Sequence, residues 1–126
     1  MPSTSKSNLV KAFWLAMDQR RFQDLIPFFH ESAEIEWPST KESFSRESYA
    51  FINQNYPGVW NTTLFRTIES EDHETIVSFV RIDSKESDLV FYATSLFEFQ
   101  DLKIIHLTEF FSPEEEAPDW RKSIQK

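Results

Sequence analysis

The side chain best placed to do chemistry in this chain is an acid on an otherwise apolar strand face. Along Lys103 to Phe111, the residues Ile105, Leu107, Glu109 and Phe111 share one face by period two. A carboxyl held among Leu, Phe and Trp side chains loses hydration, which disfavours its charged form. Its pKa then rises toward the range of a general acid or base. Trp14, Trp37, Tyr56, Trp60 and Phe79 are rings of the size that walls an apolar site, and Tyr56 and the indoles carry the few directional donors such a site needs. The histidines offer less. His30 follows a helix end, His73 lies in a turn, and His106 shares the opposite strand face from Glu109 with Ile104, Thr108 and Phe110. None of them has the helical i, i+4 spacing or strand alternation that a zinc site uses, so no metal is expected. The chain has no glycine-rich phosphate loop and no serine nucleophile elbow, and no cofactor is expected.

Positioning these groups falls to helices in the first half and strands in the second. Leu9, Val10, Phe13, Trp14 and Met17 make the stripe of a helix with one buried face. Phe22, Leu25, Ile26 and Phe29 repeat the spacing, with Pro27 breaking or restarting the helix. Ala33 to Trp37 alternates as a short strand with Ile35 and Trp37 inward, closed by Pro38. Ser45 is the expected N-cap of a third helix that runs to about Asn55, with Glu47 at its positive end. Val59–Ile68, Thr75–Ile82, Asp88–Phe99 and Lys103–Phe111 then read as strands joined by short polar turns, an antiparallel meander. Helices first and strands later imply an α+β domain. The expected domain covers residues 8–121, with flexible ends at 1–7 and 122–126.

Composition narrows the possible partners. With 13 Phe and 4 Trp among 126 residues, the chain can build an ordinary core. It has no cysteine, so neither a disulfide framework nor thiolate chemistry is available. Asp and Glu number 21 against 13 Lys and Arg, a net charge of -8. That balance argues against nucleic acid and anionic membrane as partners. The polar stretch from Met1 to Asn8 lacks the apolar core of a signal peptide, and a cytoplasmic location is expected.

The order of features resembles the SnoaL-like branch of the nuclear transport factor 2-like superfamily. The resemblance is carried by Trp14, Phe22-x-x-Leu25, Glu36-Trp37-Pro38 and Arg46-Glu47, then by Tyr56-Pro57-Gly58-x-Trp60, Asp101-x-Lys103-Ile104, Glu109-Phe110-Phe111 and Trp120-Arg121. It implies a cone in which N-terminal helices pack on a curved antiparallel sheet. It also implies that the face holding Leu107, Glu109 and Phe111 lines the cavity, with an acid at Glu109 serving as acid or base in some members. Arg81 and Asp83 match the Arg-x-Asp spacing of the epoxide-hydrolase members. Asp83, however, runs into the polar turn Ser84–Ser87, which leaves Arg81 as a counter-ion for Glu109. Members pack such sheets back to back, so the apolar convex face formed by Ile104, His106, Thr108 and Phe110 is expected to form a homodimer. Two departures fall in loops: Leu102 and Ser45 stand where glycine is usual.

The functional expectation is a pocket for a small apolar or aromatic molecule, walled by Trp14, Trp37, Tyr56, Trp60, Phe79, Leu107 and Phe111. Two alternatives compete with it. One is an isomerase or hydrolase using Glu109 as general acid or base, and the other is a structural dimerisation domain whose cavity is filled by its own rings. Neither a reaction nor a ligand follows from the residues alone.

Overall fold

The computed structural model describes residues 5–125. The Ser5 hydroxyl accepts the Asn8 N–H at 3.0 Å and caps the first helix, α1 (Lys6–Asp18). The helix therefore begins inside the segment expected to be flexible to residue 7, and residues 1–4 of that segment lie outside the described residues. Val10, Phe13 and Trp14 form its buried stripe. At its end the Arg21 N–H reaches the Ala16 carbonyl at 2.9 Å and the Arg20 N–H reaches Met17 at 3.1 Å. This is a Schellman closure, with Arg20 in the left-handed region at φ 60° where glycine is usual.

The second apolar stripe folds as a 3₁₀ segment (Phe22–Phe28) instead of an α-helix. Pro27 lies within it, and the chain turns extended at once into β1 (Phe29–Trp37). That strand starts four residues earlier than its alternating stretch suggests. A register irregularity between Phe29 and Glu34 breaks the period there. Pro38–Thr40 makes a single 3₁₀ turn, and β2 (Glu42–Phe44), too short to announce itself by period, pairs back on β1. Ser45 caps α2 (Arg46–Gln54) by accepting the Ser48 N–H at 3.1 Å, as expected.

The meander follows as β3 (Trp60–Glu69), β4 (Thr75–Ser84), β5 (Val90–Gln100) and β6 (Lys103–Pro113), then a short helix α3 (Asp119–Lys122). The sheet runs in the order β2-β1-β6-β5-β4-β3 and is curved. One pair departs from the expected antiparallel sheet: β1 and β6 are parallel. Helices, β2 and three strands lie between them in sequence, ample length for the crossover that a parallel pair requires. The helical segments cover the concave face. Phe13 packs edge-on against Trp14 and Phe97, each with ring centroids 5.1 Å away, and against Phe29 at 6.1 Å.

A bulge in β6 alters one expected face. Phe99 pairs with Ile104 and Glu98 with His106, so Ile105 is the extra residue. Ile104 consequently turns into the core and is fully buried, instead of joining the convex face. No helix of the described residues is long and apolar enough to cross a membrane.

Candidate functional site

A row of polar side chains crosses the concave face where apolar residues otherwise dominate. Ser78 on β4 is in register with Ser95 on β5, and Ser95 with Glu109 on β6. All three are buried, Glu109 at 1% exposure. The Trp14 indole N–H donates to the Ser78 hydroxyl at 3.0 Å. Glu109 receives three hydrogen bonds: the Trp37 indole N–H at 3.1 Å and the Tyr49 hydroxyl at 2.8 Å on Oε1, and the Ser95 hydroxyl at 2.8 Å on Oε2. Burial pushes the carboxyl above its ordinary value of 4.5, and the bonds from Ser95, Trp37 and Tyr49 pull it back only in part. Burial, then the neighbouring Glu109, holds the Tyr49 phenol well above its ordinary value of 10.0, so it stays a donor.

Beside this row the cone is open. A cavity of about 380 Å³ lies against Glu109 and Tyr49. Trp14, Trp37, Trp60 and Phe111 line it, and Tyr56, also in the lining, is half exposed. Phe91, Phe22 and Ile82 add apolar wall, while Arg20 and Glu42 are the charged residues of its lining apart from Glu109. Gly58 shapes the mouth in the left-handed region at φ 91°, and a Cβ there would meet the Trp60 Nε1 at 3.0 Å.

Four expectations are corrected. Phe79 and Arg81 alternate with the buried Ser78 and Val80 on β4 and so point to the convex side. There Phe79 packs near Phe65 at 6.4 Å, and Arg81 pairs with Asp83 at 3.2 Å. Arg81 is therefore no counter-ion to Glu109, and among the described residues no basic side chain ion-pairs with that acid. Leu107 faces inward but lies in the packed core, outside the cavity lining. The indoles of the cavity are not free donors either. Trp14 and Trp37 are engaged as above, and Trp60 donates to the Pro57 carbonyl at 2.9 Å.

Sequence reasoning passed over Tyr49 and Ser95. Each carried a signal: Ser95 is the one polar residue in the inward series Ala93, Ser95, Phe97, Phe99, and Tyr49 lies on the buried face of α2 beside Ala50. It also missed a convex-face cluster. His106 Nε2 lies 2.8 Å from Glu36 and Nδ1 lies 3.1 Å from Glu98, with Glu34 adjacent. Those residues come from three strands, so no local spacing reveals them.

No family model matches the chain, and no curated protein matches it. Solved structures do. A candidate ketosteroid isomerase from Kribbella flavida superposes with a TM-score of 0.82 at 21% identity, over 96% of this chain and 87% of that one. An NTF-2 like protein of unknown function from Burkholderia xenovorans gives 0.80 at 21% identity, over 96% and 93%. An LEH-like epoxide hydrolase of M. tuberculosis gives 0.69 at 15% identity, over 87% and 84%. Together with the helix-covered six-stranded sheet, these likenesses give the chain the nuclear transport factor 2-like fold that its sequence resemblance implies.

Proposed function

We propose that the chain is a small-molecule-binding domain whose cone takes a compact, largely apolar or aromatic ligand. The observation that carries this reading is the open cavity of about 380 Å³, ringed by Trp14, Trp37, Trp60 and Phe111, with Glu109 and Tyr49 at its inner wall. Its size falls within the usual range of ligand sites, and its make-up follows their pattern of mostly apolar wall with a few polar groups. Three tryptophans at the wall make the test direct. Small aromatic solutes should change tryptophan emission saturably in the wild type and more weakly in a Trp60→Leu variant that keeps its fold. A folded protein whose emission no solute changes at millimolar concentration would end this reading.

The Tyr49 hydroxyl 2.8 Å from the buried Glu109 favours a second reading, acid–base catalysis on the bound molecule. Here Glu109 would move the proton, and Tyr49 would hold the carboxyl in place. The neighbours named as isomerases and hydrolases agree with either reading. A compound first found to bind, then turned over by the wild type but not by Glu109→Gln, would select the second.

We also infer that a second copy covers the convex face. Phe65 and Phe110 are 58% and 46% exposed there. The β1–β6–β5 side carries Glu34, Glu36 and Glu98, and the β3–β4 side carries Arg66 and Arg81. A two-fold stacking of the sheets lays each acidic side over the partner's basic side and removes the apolar rings from water.

A further inference from the structure

We propose that the molecule this cavity selects is an organic cation, an arylalkylamine in its protonated form, with its N–H groups on Glu109 and its carbon skeleton against the rings. This rests on the binding reading above and narrows its ligand class.

The inner wall has few hydrogen-bonding groups left to offer a ligand. The donors there are already engaged: Trp14 with Ser78, Trp37 and Tyr49 with Glu109 Oε1, and Ser95 with Glu109 Oε2. A ligand carbonyl, carboxylate or phosphate reaching that wall would find no free N–H. What remains is acceptor capacity. Oε1 takes two hydrogen bonds and Oε2 only one, so Glu109, a lining residue at 1% exposure, keeps an unused lone pair on Oε2 when ionised. The group required is therefore a donor.

Charge distinguishes an ammonium from a hydroxyl. A buried carboxyl with no basic partner among the described residues is destabilised in its ionised form, and a cationic ligand would supply the missing counter-charge. The wall suits the same charge. Trp14, Trp37, Tyr49, Trp60, Phe91 and Phe111 surround the space, and aromatic rings attract a cation through their quadrupoles. The one basic residue of the lining, Arg20, is exposed, with its guanidinium over the Phe22 ring at 5.5 Å and an N–H 3.5 Å from the Gly58 carbonyl. Glu42 offsets its charge within the lining. At larger range the chain's net charge of -8 raises the local concentration of cations.

Three probes of one shape test this at pH 7 by tryptophan emission: 2-phenylethylammonium, 2-phenylethanol and 3-phenylpropanoate. The expected order in the wild type is ammonium tightest, by about tenfold over the alcohol, with the carboxylate weakest. Glu109→Gln should bring ammonium and alcohol within about twofold of each other, a loss of the charge term alone. The ranking in the wild type stands without any variant, so a poorly folding substitution cannot obscure it. If the alcohol or the carboxylate equals or exceeds the ammonium, the cation assignment is overturned while the binding reading stands. If none of the three binds but neutral arenes do, the result is the same. If no solute of any charge binds, both fall.

Discussion

Glu109 holds three hydrogen bonds and, among the described residues, no counter-ion, and its burial and its bonds act on its proton in opposite directions. Removal from water favours the protonated acid, while each donor favours the carboxylate. Removal from water wins, so the folded state keeps the proton to a higher pH than the unfolded chain does. Stability from this group is full below the unfolded value of about 4.5 and is lost as pH rises through the folded value. Glu109→Gln keeps the shape and an acceptor for Trp37 and Tyr49, and the Ser95 hydroxyl can turn to accept from the new amide. Denaturation midpoints taken from pH 4.5 upward should therefore fall less steeply for Glu109→Gln than for the wild type. A steeper fall in the variant would mean that the carboxylate is the favoured form. Glu109 itself was legible in the sequence, as the single acid in an apolar alternation. Tyr49 was not, because a tyrosine on an amphipathic helix looks the same whether its hydroxyl reaches solvent or a buried acid.

At the level of elements, what could be read follows from how local the cause is. The Ser45 cap, the break at Pro27 and the four meander strands depend on neighbours a few residues away, and all were legible. Where a bulge intervened, period two misled: one extra residue in β6 turned Ile104 inward, contrary to the alternation. Phe79 and Arg81 show a related limit. Alternation assigns residues of β4 to two faces but does not say which face is the inside. Interactions that cross strands were beyond reach, and His106 is the clearest case. It joins β6 to Glu36 on β1 and Glu98 on β5. Partial burial alone would lower its pKa, but the bonds to Glu36 and Glu98 outweigh that and raise it above the ordinary 6.5. A raised value means that the staple contributes fully below pH 6.5 and fades as pH climbs through the folded value. Melting temperatures measured upward from pH 6.5 should decline for the wild type and stay flatter for His106→Gln. Parallel curves would mean that these bonds add nothing.

For the whole molecule, the two faces of one sheet are set for different tasks: the concave side keeps a space open, and the convex side carries rings and opposed charges outward. If two copies meet there, light scattering at tens of micromolar should report a dimer, and Phe110→Glu a monomer with unchanged near-ultraviolet signal. A wild-type monomer at that concentration would leave the convex rings without the partner inferred for them. The parallel pairing of β1 with β6 has a consequence in time. Trp37 and Glu109 are 72 residues apart, and Tyr49 and Glu109 are 60 apart. About half of the chain must be closed into a loop before these contacts form, an entropic cost met ahead of any reward. During synthesis the wall built from α1, β1 and α2 leaves the ribosome long before the strand that carries the acid. A ligand held by that acid can stabilise only the finished chain, which would make it a late check on folding and no guide to its beginning.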